Sequence, residues 1–118
     1  MESSPLHIVP HTVRSLPHAL PVDDFVVLVG VVERESRGSV FLDFVLNDGS
    51  GRIKVRYITP RRWWEVAEFE GRYVTVVGRL AAAQTPYLFS ESVQLVTEPD
   101  QISYHLIEVA HRHLVARQ

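Results

Sequence analysis

The stretch Phe25-Val26-Val27-Leu28-Val29-Gly30-Val31-Val32 restricts the possible folds more than any other part of the chain. Five of its eight residues are valine, whose branched Cβ is stiff and favours pleated backbone. The run is too short for an independent helix and far too short to span a bilayer, so it predicts a buried strand. Gly30 inside it marks a bend or bulge. A buried strand needs neighbours, and the sequence supplies them. Residues 40–46 alternate so that Leu42, Phe44 and Leu46 share one face, before Asn47-Asp48-Gly49-Ser50-Gly51 offers residues that tolerate left-handed turn geometry. Ile53, Val55 and Tyr57 then form the inward face of a third strand, with Arg52, Lys54, Arg56 and Ile58 as an outward basic stripe. Residues 73–80, broken by Gly78, and 87–96 predict a fourth and a fifth strand.

The flanks have a different texture. Residues 1–22 hold Pro5, Pro10, Pro17 and Pro21, four of the seven prolines, and are expected to wrap the domain or stay mobile as a leader rather than form an element. Residues 60–69 place Pro60 at a first helical position and Trp63, Trp64, Val66, Ala67 and Phe69 at amphipathic spacing, a short helix ended by Gly71. From Thr97-Glu98-Pro99-Asp100 onward, Ile102, Leu106, Val109 and Ala110, with Ile107 and Leu114, recur at three and four residues and predict a terminal amphipathic helix.

Five strands with a short helix between the third and fourth describe an all-β chain: a five-stranded OB-fold, a Greek-key barrel, followed by a C-terminal amphipathic α-helix. An SH3-like barrel also has five strands, but the inserted helix and the two mid-strand glycines favour the OB arrangement. The expected organisation is a leader over 1–22, the barrel over 23–98 and an oligomerisation helix over 99–118. A barrel buries its own inward side chains, so the terminal helix is surplus to the core.

With 118 residues the chain holds one ordinary domain. Zero cysteines remove disulfides, thiolate metal sites and cysteine nucleophiles together. A net charge of −2 gives no global basic signature, so nucleic-acid binding requires local segregation. Such segregation is present along the sequence: residues 52–79 carry seven basic and three acidic side chains, residues 23–48 six acidic and two basic. The absence of a signal-peptide pattern and of a membrane-length apolar run leads to the expectation of a soluble intracellular protein.

Several segments resemble the central domain of the middle subunits of replication protein A, the eukaryotic heterotrimer that coats single-stranded DNA. Pro10-His11-Thr12-Val13-Arg14-Ser15-Leu16 is similar to that family's lead-in, and Asp48-Gly49-Ser50-Gly51 with Val55-Arg56 to its hairpin. Residues 71–80 are similar to its Tyr-Val strand ending in Gly-x-Leu. The most specific match is His105-Leu106-Ile107-Glu108-Val109-Ala110-His111-Arg112-His113, which resembles the family's terminal helix. The resemblance implies a nuclear, non-enzymatic subunit without cofactor or metal, acting in DNA replication, repair and recombination. Its helix would join those of a large and a small subunit in a three-helix bundle, through Ile102, His105, Leu106, Val109, Ala110, His113 and Leu114. Telomere-end and telomerase-associated trimers share this architecture, and an OB adaptor without DNA contact is a third possibility. The resemblance covers the family's central domain, so the recruitment functions of its phosphorylated tail and winged-helix domain are not expected here.

OB-folds hold single strands with basic side chains along the phosphates and rings under the bases. The candidates are Arg34 and Arg37 in the first loop, Lys54, Arg56 and Tyr57 on the third strand, Arg61, Arg62, Trp63 and Trp64 beyond it, and Tyr87 opening the fifth with Phe89. Where related subunits carry a tryptophan and a phenylalanine, this chain has Ile58 and Ala83, neither of which stacks as a ring does. Two lost rings at about 1–3 kcal/mol each predict weak intrinsic binding. Trp63 and Trp64 either plug the barrel or replace a missing ring, and alternation turns Tyr57 inward. Asp48 before Gly49 is expected to bond local turn amides, and Ser36, Ser90 and Ser92 have no paired base, so no nucleophilic enzyme is expected.

Overall fold

Ile8–Pro10 (β1) opens a computed structural model that describes residues 8–18, 25–38, 40–58, 68–81 and 87–116, the side chains of 18 and 112–116 excepted. A 3₁₀ turn at Leu16–His18 follows, then Phe25–Arg37 (β2), Phe41–Asn47 (β3), Arg52–Ile58 (β4), Tyr73–Ala81 (β5), Tyr87–Leu95 (β6) and the helix Asp100–Ala116 (α1). The sheet order is β1-β2-β3-β4-β6-β5, and β5 returns to pair with β2. Strands β2 to β6 therefore close a barrel whose pairs are antiparallel except β4 with β6, as the OB-fold expectation requires. The predicted helix over 60–69, with Arg61, Arg62, Trp63 and Trp64, lies outside the described residues, as does Ala83. Phe69, at its end, is buried in the core.

Period-two alternation builds that core. Leu42, Phe44 and Leu46 of β3 and Ile53 and Val55 of β4 are buried together with Leu28, Val74, Val76 and Leu88. Gly30 is not a bulge, because it pairs regularly with Val74. Its missing side chain instead lets β2 cross the end of β3, since a Cβ there would stand 2.6 Å from the Asn47 carbonyl oxygen. The bulge lies further on, between Glu33 and Ser36, where Arg34 adopts a left-handed φ of 51°. Beyond it β2 continues to Arg37, with Ser36 opposite Asp43 and Arg37 opposite Leu42. This corrects the assignment of Arg34 and Arg37 to a loop. Past Val32 this part of β2 pairs with β3 rather than β5, and ladder hydrogen bonds hold backbone of any composition.

The leader also departs from expectation, because part of it is an element. β1 lies parallel to β2, Ile8 to Phe25 and Pro10 to Val27, and the His11 amide donates to the Val27 carbonyl at 2.9 Å. Proline is tolerated there because β1 is an edge. Residues 11–16 form a strap with His11, Ser15 and Leu16 buried. The Ser15 hydroxyl accepts the Thr12 amide at 2.9 Å and stands 3.0 Å from the Thr12 carbonyl and 2.8 Å from His11 Nδ1, in hydrogen-bond reach of both. At the other end of the strap, the Val13 amide donates to Asp48 Oδ2 at 2.7 Å, while Asp48 Oδ1 accepts the amides of Ser50 and Gly51. Asp48 does bond its own turn, and it also anchors the strap.

α1 begins with the Gln101 side chain accepting the Thr97 and Glu98 amides at 3.0 and 3.2 Å. It lies against the strap through His105, whose Nε2–H donates to the His11 carbonyl at 2.7 Å, and Val109, one turn on, is also buried. Burial lowers the His105 pKa, against the opposing pull of the His11 carbonyl and the Asp48 and Glu108 charges. The unfolded chain binds a proton here near the usual histidine value of about 6.5, before the folded one does, so this stabilisation is complete above that pH and is lost below it. The expected result is a melting temperature that falls on acidification below about pH 6.5, with a shallower fall in His105→Gln, whose amide can reach the same carbonyl. An identical pH profile in the variant would remove His105 as a source.

Candidate nucleic-acid interface

The outer face of β3, β4, β6 and β5 carries the candidate site. Alternation that buries Leu42, Phe44, Val55 and Leu88 turns Phe41, Asp43, Lys54, Arg56, Ile58, Tyr87 and Phe89 outward. Register sets them in rows: Val45 beside Lys54 beside Tyr87, then Asp43 beside Arg56 beside Phe89, which is in turn opposite Arg79 of β5. Tyr57 points inward and packs against the core, as its parity on the strand predicts, and is therefore unavailable as an open stacking ring.

The basic stripe is less basic in space than in sequence. Arg56 Nε and Nη2 donate to the two oxygens of Asp43, each at 3.0 Å, and the pairing raises the Arg56 pKa through that hydrogen bond and charge. Arg52 Nε donates to Glu33 at 3.0 Å, and Arg37 stands 3.4 Å from Glu35. Antiparallel pairing folds the acidic stretch onto the basic one, so part of the segregation seen along the chain cancels, at Arg52 and Arg56. Lys54 and Arg34 make no ion pair with a described residue. Lys54 is the cation best placed to meet a phosphate, since it is exposed at the centre of β4 beside Tyr87. Its loss in Lys54→Ala is expected to lower the salt slope of single-strand binding by about 0.7, the value of one phosphate contact. An unchanged slope would leave the central strand without a phosphate contact.

Phe41 and the pair Arg79 and Phe25 escape sequence reasoning. The Arg56 guanidinium lies over the Phe41 ring at 4.4 Å, and that of Arg79 over the Phe25 ring at 4.5 Å. Outward parity on β3 could have marked Phe41, whereas nothing short of the β2–β5 register brings Arg79 to Phe25.

α1 divides the predicted subunit-contact residues. His105 is spent on the chain's own strap, Val109 is buried, Ile102 is half-buried, and Leu106 and Ala110 are exposed; the side chains of His113 and Leu114 lie outside the described residues. Tyr104, 67% exposed, and Ile107, 63% exposed, extend the open apolar band around the helix from Leu106. A helix with apolar residues on both sides gives no local indication of which side its own barrel takes. No three His, Asp or Glu groups converge as a metal site among the described residues, and no helix there is long and apolar enough to cross a membrane.

Neither a protein-family profile nor a curated protein matches the sequence. Solved structures do. A chain from a replication protein A heterotrimer bound to ssDNA superposes with a TM-score of 0.76 and 25% identity, covering 91% of this chain and 95% of that one. A chain from yeast RPA bound to ssDNA gives 0.72 at 18% identity, over 96% and 94%. A chain from the S. pombe Stn1–Ten1 complex gives 0.69 at 14% identity, over 78% and 72%. The chain is thus an OB-fold protein structurally similar to RPA and to Stn1–Ten1 components.

Proposed function

We propose that this chain is a non-enzymatic OB subunit of a replication protein A-like heterotrimer, in the position of the middle subunit. α1 joins the large and small subunits in a three-helix bundle, and the barrel adds a secondary contact to single-stranded DNA. The work of such a subunit is nuclear, in replication, repair and recombination. The observation that carries the proposal is the likeness to a chain of an ssDNA-bound RPA heterotrimer, which runs over 91% of this chain. The exposed Tyr104, Leu106 and Ile107 support it, because an apolar band of this kind is stable in water when partners cover it. The chain, tagged and purified from its own cells, is expected to bring down two further OB-fold proteins in equal amounts. Recovery of neither would overturn the proposal.

The likeness to Stn1–Ten1 favours a second reading, the middle subunit of a telomere-end or telomerase-associated trimer, which the identity of the co-purifying large subunit distinguishes. The ion pairs of Arg52 and Arg56 favour an adaptor without DNA contact, which single-strand binding by the purified chain would exclude.

A further inference from the structure

We infer that the outer sheet face binds unpaired bases on guanidinium planes, with Arg56 backed by Phe41 and Arg79 backed by Phe25 on either side of Phe89. The inference rests on the reading of the barrel as a single-strand binder and specifies its mode. Arg56, Phe89 and Arg79 occupy one register row on β4, β6 and β5, whose backbones are about 5 Å apart, and the two guanidiniums flank Phe89 from outside, Arg56 leaning over Phe41 of β3 and Arg79 over Phe25 of β2. Each guanidinium covers a phenylalanine ring, at 4.4 Å for Arg56 and 4.5 Å for Arg79. One face of each plane is therefore occupied. The side chains remain accessible, Arg56 at 42%, and a base can lie on the other face as it would on an aromatic ring.

The engagement of Arg56 separates this mode from a phosphate contact. Asp43 takes both Nε and Nη2, which fixes the plane before any ligand arrives and offsets the charge a phosphate would seek. Lys54, one row away and without an ion pair among the described residues, is the complementary cation for the backbone. The row thus divides its labour: planes under the bases, an ammonium beside the phosphates. The ligand class is single-stranded DNA with its bases splayed outward, and the affinity drawn from the planes is insensitive to salt.

The test uses the full chain, a fluorescein-labelled oligothymidylate and an abasic deoxyribose-phosphate strand of the same length, with anisotropy read across a salt series. Arg56→Lys and Arg79→Lys keep the charge and remove the plane. Each is expected to weaken oligothymidylate binding about fivefold or more, with an unchanged salt slope and unchanged binding of the abasic strand. Asp43→Asn supplies an independent sign. It removes a negative charge, so a phosphate-binding Arg56 would bind more tightly, whereas a plane released from its anchor binds more weakly. Wild-type affinity in both lysine variants, equal losses on the abasic strand, or tighter binding by Asp43→Asn would each overturn the inference while leaving the barrel a single-strand binder. Failure of the wild-type chain to bind either strand would overturn that reading and the inference with it.

Discussion

Gly78→Val is expected to abolish the folded barrel. A Cβ at Gly78 would collide with the Phe89 carbonyl oxygen and stand 2.8 Å from Ser90 Cα, and both are backbone atoms of the neighbouring strand that cannot swing aside. The site is a register shift, where β6 carries Glu91 as an extra residue opposite the Val77–Gly78 step of β5, and the buried Ser90 hydroxyl sits 3.2 Å from the Val77 carbonyl and 2.9 Å from that of Ser92. Moving β6 outward would break this set and open the β5–β6 seam. The cost is at least ~3 kcal/mol, a large part of the ~5–15 kcal/mol that a domain has in total. Thermal unfolding should lose its cooperative transition or move down by more than about 10 °C. Gly38→Ala is the control. Its nearest neighbour, the Phe41 carbonyl oxygen, would be 3.4 Å from the new Cβ, and the melting point should hold. A folded Gly78→Val with normal stability would show that the seam is plastic.

The second large effect falls on assembly. Leu106→Glu with Ile107→Glu places two carboxylates on the open side of α1, where they meet water in the free chain and apolar partner surface in a complex. Burying both unpaired costs more than ~5 kcal/mol, a loss of over a thousandfold in association, whereas the isolated barrel should melt within about 1 kcal/mol of the parent. Recovery of partners by the double variant would move the assembly surface elsewhere. The choice of Ile107 over Val109 depends on the structure. Val109 is 6% exposed, buried within the chain itself, so charging it would disturb the seat of the helix and leave the two effects inseparable.

The core was legible because period-two alternation and one buried face leave little freedom. Leu42, Phe44 and Leu46, and Ile53 and Val55 on the next strand, have one arrangement that removes them all from water. The outer arm of β2 was not legible, since Glu33 to Arg37 are held by ladder bonds and by the Arg34 bulge, neither of which requires an apolar side chain. β1 was hidden for a related reason: its prolines argue against an interior strand but not against an edge. Outward parity identified Lys54 and Arg56 as surface cations, but their availability depends on partners far along the chain. Asp43 lies thirteen residues from Arg56, and the hairpin register alone sets them side by side. The terminal helix was visible as a surplus element, and its two apolar sides could be told apart only after the strap had taken one of them.

The strap has a consequence for the order in which the molecule is completed. His105 meets the His11 carbonyl across 94 residues, and His11 is held in place through the Val27 carbonyl and the Ser15 hydroxyl, with Asp48 gripping the next turn. A segment that precedes the barrel is therefore sealed by the helix that follows it. Tyr104, Leu106 and Ile107 acquire a fixed direction relative to the barrel only when that seal closes. A partner that docks on them thereby samples chains whose strap and helix have already met, so the apolar band acts as a certificate of finished folding as well as a place to bind.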